Sequence, residues 1–187
     1  MPTIYMNTFK ILVILISIIV LSSCSSKEVF KYPPDQFLTN EVVLSKFVNI
    51  SVNLPHEWFI AEDNLNSEII LWLVNNDYST SINFRQIHLD STYHKENRLR
   101  MVTRSNKLFL KTMNKGNTNA FMNEEEFEIN GKEFMAYEHY NDEGNRIRTV
   151  IFQNKENFFE SNAVTINPDQ DYEKLYRLQN SVLSSLK

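Results

Sequence analysis

One cysteine, three glycines and five prolines in 187 residues exclude several kinds of chemistry at once. A lone thiol permits neither an intramolecular disulfide nor a thiolate metal cluster. Three glycines are too few for a loop whose backbone cradles phosphates, and no G-x-S-x-G turn marks a nucleophilic serine. Lys and Arg number 19 against 23 Asp and Glu, for a formal charge of −4. The cations nowhere form a run, and phosphate backbones are held by clustered cations, so no nucleic-acid partner is expected. No apolar stretch approaches the ~20 residues of a membrane-spanning helix.

The most apolar stretch runs from Ile11 to Leu21, about eleven residues broken only by Ser17 and preceded by Lys10. That length and its basic start resemble a secretory signal. The stretch ends in Leu21-Ser22-Ser23-Cys24, which resembles the bacterial lipobox: an aliphatic residue, two small residues, then the cysteine that is acylated. Small side chains suit a narrow peptidase pocket, and a thiolate is the side-chain nucleophile suited to a thioether with diacylglycerol. The resemblance implies cleavage after Ser23 and a lipid anchor, palmitate or a similar acyl chain, on Cys24. An ordinary secretory signal with an incidental cysteine is the alternative, since Ser22-Ser23 also suits ordinary cleavage. Buried methylenes contribute about 0.8 kcal/mol each, so two or three chains anchor stably where one does not. Ser25 rather than aspartate follows the cysteine. If the source has two membranes, the resemblance therefore implies the outer one. Removal of residues 1–23 takes away Lys10 and leaves a chain one unit more acidic than −4.

Residues 24–40 are polar and contain Pro33-Pro34, and they read as an acylated tether. Apolar patterning starts near Glu41, so a globular domain is expected over residues 41–187. Phe47 to Leu54 alternates, with Val48, Ile50, Val52 and Leu54 on one face, as in a half-buried strand. Glu68 to Val74 and Thr80 to Ile87 flank Asn75-Asn76-Asp77 and predict a hairpin. Lys95 to Lys115 shifts to helical spacing through Leu99, Val102, Phe109 and Met113, with Gly116 as a stop signal. Its basic residues, from Lys95, Arg98 and Arg100 to Lys115, read as a solvated face; an anionic-lipid or partner site is the alternative.

Asn130-Gly131 is the strongest hairpin signal in the chain. Strands are expected at Arg146 to Gln153 and Asn157 to Ile166, after the Asp142-Glu143-Gly144-Asn145 turn, in an antiparallel meander. Asn167-Pro168-Asp169 reads as a helix start, followed by a stripe of Tyr172, Leu175, Leu178, Val182, Leu183 and Leu186. Strands with one helix inserted and one at the end predict an α+β domain, an antiparallel sheet covered by helices.

The order of elements, with "FVNISVNLPHEWFI" near the domain start and a closing helix "SVLSSLK", resembles the PsbP-like α/β/α sandwich. That family spans photosystem II accessory proteins, a Ran-binding nuclear-transport factor and bacterial lipoproteins. The resemblance implies a fold and no particular activity, because its members do different jobs.

Candidate chemistry is sparse. His88, Asp90 and His94 match no known zinc spacing and read as a solvated loop. Asp169, Asp171 and Glu173 alternate as calcium ligands do but lack the central glycine, and acids favour a helix N-terminus. Glu124-Glu125-Glu126 read as a solvated turn, and Glu138 and His139 as neighbours on opposite faces of one strand. Trp58 and Trp72 suit the core, or the walls of an apolar groove. No metal, cofactor or catalytic residue is expected. The function that fits is a non-catalytic binding or accessory module of the cell envelope, held to the membrane through Cys24 and contacting an envelope protein, with a toxin-neutralising role as a variant. A small envelope hydrolase with a site assembled from scattered residues is the alternative.

Overall fold

The computed structural model describes residues 30–61, 68–89, 98–113, 121–167 and 169–187. Ser23 and Cys24 lie outside the described residues, as do Asp90, His94, Gly116 and Pro168. No helix among the described residues is long and apolar enough to cross a membrane.

Nine strands and two helices form in the described residues. They are β1 (Leu38–Leu44), β2 (Ser51–Pro55), β3 (Trp58–Ile60), β4 (Ile69–Asn75), β5 (Thr80–Ile87), α1 (Arg98–Met113), β6 (Met122–Ile129), β7 (Lys132–Tyr140), β8 (Arg146–Asn154), β9 (Asn157–Thr165) and α2 (Tyr172–Ser184). Strands β3 to β9 make one antiparallel sheet in the order β3-β4-β5-β9-β8-β7-β6, and β1 pairs β2 in a separate ribbon. The sheet is two meanders, β3-β4-β5 and β6-β7-β8-β9, joined where β5 pairs β9.

Alternation along the strands sends side chains to two faces. Leu73, Ile82, Phe84, Phe134, Phe152 and Phe159 point to the α2 face, where they meet Leu175, Tyr176, Val182 and Leu183 of α2 in the main core. Tyr137, Ile151 and Phe158 point the other way, where Val102 of α1 covers them. The result is an α+β layered fold with a helix on each face of an antiparallel sheet.

Register across the second meander is held by one row of rings. Phe127 faces Phe134, Phe134 faces Phe152 and Phe152 faces Phe159 across successive strands, with centroids 5.3, 5.7 and 5.6 Å apart. Such pairs are worth about 0.5–1.5 kcal/mol each beyond their buried area. A one-residue slip would turn the whole row to the opposite face.

Turn chemistry follows the sequence closely. Asn130 and Gly131 have φ of 53° and 77° and join Ile129 to Lys132 in a two-residue loop, as a type I′ turn requires. Thr80–Ile87 forms with the expected bounds, and the α2 stripe is buried as expected, with Leu178 at its border. The cap of α2 is Asp171, whose side chain accepts from the Lys174 backbone N–H, rather than the Asn167-Pro168 pair.

Three expectations need correction. The proline-containing segment is not tether throughout: from Phe30 on it packs against the domain. Tyr32 is buried, Asp35 is paired with Arg177 of α2, and β1 begins at Leu38, before Glu41. The strand expected over Phe47–Leu54 is β2, Ser51–Pro55, and starts later, because Phe47 and Val48 lie in a loop tied by their backbone N–H groups to the Ser45 hydroxyl. Glu124-Glu125-Glu126 form no turn. They sit inside β6, an edge strand whose charges pair with cations of neighbouring elements.

Candidate functional site

Helix α1 packs over one end of its face of the sheet and leaves the β3-β4-β5 end uncovered. There Phe59, Trp72, Val74, Val164 and Ile166 line a groove of about 610 Å³, together with the turn residues Tyr78 to Ser81. That volume lies within the ~300–1,000 Å³ of small-ligand clefts. Of the two tryptophans, Trp58 is buried in the core and Trp72 forms a groove wall.

The lip of the groove is set by the β4-β5 turn. Tyr78 takes φ of 62°, a left-handed conformation that is costly for a bulky side chain, while 71% of it is exposed. The turn is fixed on both sides: the Tyr78 N–H donates to the Asn75 carbonyl at 2.8 Å, and the Ser79 N–H and hydroxyl both donate to Asp77 Oδ1, at 2.8 and 2.7 Å. These bonds hold the Asp77 carboxyl below the usual carboxylate range. The Tyr78 ring meets Phe59 edge to face at 5.5 Å. A strained, exposed aromatic thus stands at the mouth of an aromatic slot.

A polar row crosses the sheet between the groove and α1. The Asn162 amide donates to Asn83 Oδ1 at 3.3 Å and to Glu160 Oε1 at 3.2 Å, and its oxygen accepts from the Thr149 hydroxyl at 2.6 Å. His139 Nε2 lies 3.3 Å from that hydroxyl. From α1, the Asn106 amide reaches the Tyr137 hydroxyl at 3.2 Å and Glu160 Oε2 at 2.6 Å. Burial holds the His139 imidazole below its usual pKa, against the smaller opposing effects of the Tyr140 carbonyl and Glu160. It is neutral at pH 7. Thr149 is itself buried, with its proton engaged by Asn162, so this His–Thr pair has neither the access nor the geometry of an activated nucleophile.

The opposite face of the same strands carries a sealed charge network. Arg148 is 1% exposed and donates to Gln179 Oε1 at 2.8 Å, to Asn180 Oδ1 at 2.9 Å and to Glu125. Tyr32, Phe127 and Tyr176 stack their rings around its guanidinium, at 5.1 to 5.7 Å. Burial lowers the Arg148 pKa, and Glu125 opposes that most strongly. Beside it Glu138, also buried, accepts from Arg146 Nε at 2.6 Å and from the Tyr32 hydroxyl at 3.0 Å. This network ties β6, β7, β8, α2 and the N-terminal segment together and is closed to ligands.

The residues singled out in the sequence are scattered. His88 is exposed, while Asp90 and His94 lie outside the described residues. Asp171 serves as the cap of α2, and Glu138 and His139 do face opposite sides. No group of three or more His, Cys, Asp or Glu gathers as a metal site among the described residues. Of the groove, the sequence offered only Trp72 as a possible wall, and no motif announced the polar row. Only the alternation of Trp72 and Val74, and of Ser81 and Asn83, with the core residues between them pointed to that face.

No family model matches the chain, and no curated protein matches it significantly. Among solved structures, the solution structure of cyanobacterial PsbP (CyanoP) from Synechocystis sp. PCC 6803 aligns with a TM-score of 0.55 and 13% identity, over 79% of this chain and 91% of that one. A crystal structure from Bacteroides thetaiotaomicron VPI-5482 aligns with a TM-score of 0.46 and 14% identity, over 74% of this chain and 44% of that one. The layered antiparallel sheet with its two helices is a PsbP-like α+β fold.

Proposed function

We propose that the chain is a lipid-anchored cell-envelope protein, cleaved after Ser23 and acylated on Cys24, that works as a non-catalytic binding module. If the source has two membranes, the anchor holds it at the outer one. Its contact surface is the aromatic groove at the β3-β4-β5 end, and its partner is an envelope protein that inserts an apolar side chain between Trp72, Phe59 and Tyr78. The supporting observation is the make-up of that groove. Its walls are aromatic and aliphatic and its rim carries the hydroxyls of Ser79, Thr80 and Ser81, with no ionisable acid or base among the lining residues except the Tyr78 phenol. A recognition cleft needs apolar walls and a few orienting polar groups. General acid–base work needs a titratable group within reach of the substrate, and the nearby His139 is buried, neutral and turned to Thr149.

The test is site-specific photocrosslinking in intact cells from Tyr78, with exposed Tyr140 at the end of β7 as the control position. Binding through the groove gives a discrete adduct at position 78 that disappears with Trp72→Ala and never forms at 140. Equal adducts at both positions, or an adduct indifferent to Trp72→Ala, would remove the groove from the function. Hydrolysis of ester or amide probes that is lost with His139→Gln would instead favour the hydrolase reading.

A further inference from the structure

The outer face of α1 is built unlike a merely solvated helix. In its sixteen residues there are five cations, Arg98, Arg100, Arg104, Lys107 and Lys111, and no acid, in a chain whose net charge is negative. Its underside is accounted for: Val102 and Thr103 are buried, and Leu99 and Leu110 pack on the cluster of Tyr137, Ile151 and Phe158. Yet Met101, Leu108 and Phe109 are 39%, 63% and 59% exposed.

Residues seven apart share a line along a helix. Met101 and Leu108 therefore form an apolar row, Arg104 and Lys111 a basic row beside it, and Arg100 and Lys107 a second basic row beyond that. The last pair is fixed by β6: Arg100 pairs with Glu126 at 2.8 Å and Lys107 with Glu124 at 2.7 Å. Arg104 and Lys111 point outward next to the apolar row, with Lys111 also lying over the Phe121 ring at 5.5 Å. An apolar row with cations along one side suits the boundary between acyl chains and anionic headgroups.

The position of the chain start is an independent observation. Phe30 packs edge to face on Phe127 of β6, the residue after Glu126, so the described chain begins at the very edge of the sheet that α1 flanks. Only five residues lie between Cys24 and Phe30. The six steps, at about 3.3–3.6 Å per residue, span at most about 22 Å. On the reading that Cys24 is acylated, this edge cannot leave the bilayer surface by more than that.

We infer that α1 lies on the membrane that holds the anchor, with Met101 and Leu108 at the headgroup boundary and Arg104 and Lys111 on anionic lipid headgroups. This orientation turns the α1 face of the sheet to the bilayer and leaves the aromatic groove, on that face but beyond α1 at the β3-β4-β5 end, set back from the lipid by the ~10 Å thickness of the helix. The inference rests on the proposed anchor.

The test uses the processed protein reconstituted into vesicles of phosphatidylethanolamine with 30% phosphatidylglycerol, or of phosphatidylcholine alone. With the Cys24 thiol acylated, a cysteine placed at Leu108 or at Tyr78 is the single site for an environment-sensitive fluorophore. The label at 108 should shift to shorter wavelength in the anionic vesicles and less in the neutral ones, the label at 78 should not shift, and Arg104→Glu with Lys111→Glu should abolish the shift. Unshifted emission at 108 in both vesicles would overturn the inference, as would a shift that needs envelope proteins rather than lipid. If the protein does not stay with vesicles at all, the anchor reading fails. The helix is then judged by adding the same anionic vesicles to the Leu108-labelled protein carrying Cys24→Ser. A shift there keeps α1 as a lipid-binding face, and no shift removes it.

Discussion

Arg148 places a full charge inside the protein, and its cost and compensation can be worked through. Its guanidinium is 1% exposed and is balanced by Glu125 on the edge strand β6, while Gln179 and Asn180 of α2 accept its other N–H bonds. Glu125→Gln removes the counter-charge and leaves the cation buried, which costs about 3–5 kcal/mol when one partner of a buried pair is lost. Arg148→Met removes the charge with little change of length but leaves the Gln179 and Asn180 carbonyl oxygens without a donor. Unsatisfied buried acceptors cost about 1–3 kcal/mol each. Gln179 keeps its amide bond to the Ser161 carbonyl at 2.9 Å, so α2 stays docked in that variant. Once the arginine is gone, Glu125→Gln has no buried cation to orphan and should cost little more. The two substitutions should therefore couple by about 3 kcal/mol or more, at the upper end for residues of one network. Urea unfolding of the four proteins of the cycle, followed by tryptophan fluorescence, measures this. The coupling should persist between about 0.1 and about 1 M salt, where the Debye length falls from about 10 to about 3 Å, because a buried pair is screened little. Additive costs, or a coupling below about 1 kcal/mol that vanishes in salt, would be those of an exposed ion pair and would refute the reasoning.

Leu183, fully buried on the sheet-facing side of α2, should cost about 2–5 kcal/mol on replacement by alanine, and Leu178, at the border of the stripe, distinctly less; denaturant midpoints compare them. Gly131→Ala should cost about 1–2 kcal/mol, since φ of 77° strains a Cβ although its nearest atom, Glu128 Oε1, is 4.0 Å away; the melting temperature reports it. His139 has a folded pKa below its unfolded value, so the unfolded chain takes up the proton first. Stability should be fully present above about pH 6.5 and fall as pH drops from there toward the folded pKa, by at most about 1.4 kcal/mol per unit from this group. Urea midpoints at pH 7.5 and 5.5 should converge in His139→Gln.

Local signals were legible where one short stretch decides the outcome. Asn130-Gly131 dictates its own turn, Thr80 to Ile87 alternates cleanly, and the apolar spacing of α2 has one burial solution. Long-range pairing was not legible. Each of four strands carries a phenylalanine, but nothing local says that Phe127, Phe134, Phe152 and Phe159 share a row. Pro33-Pro34 suggested a free tether because proline stiffens a chain in isolation; the burial of Tyr32 between Glu138 and Arg148 depends on residues more than a hundred positions away. Three consecutive glutamates in β6 read as solvent because their partners come from two distant stretches, Arg100 and Lys107 from α1 and Arg148 from β8. The groove was legible only as one of two readings of Trp72, which alternates with core residues; its exposure follows from how far α1 reaches across the sheet.

Anchoring at Cys24 is the claim on which the envelope location and the orientation of α1 both depend. Mass spectrometry of the N-terminal peptide of protein purified from the envelope of its own cells tests it directly. The account expects a chain that begins at Cys24 with the mass of acyl chains on that residue. A peptide that begins at Met1, or one that contains an unmodified Cys24, would contradict it.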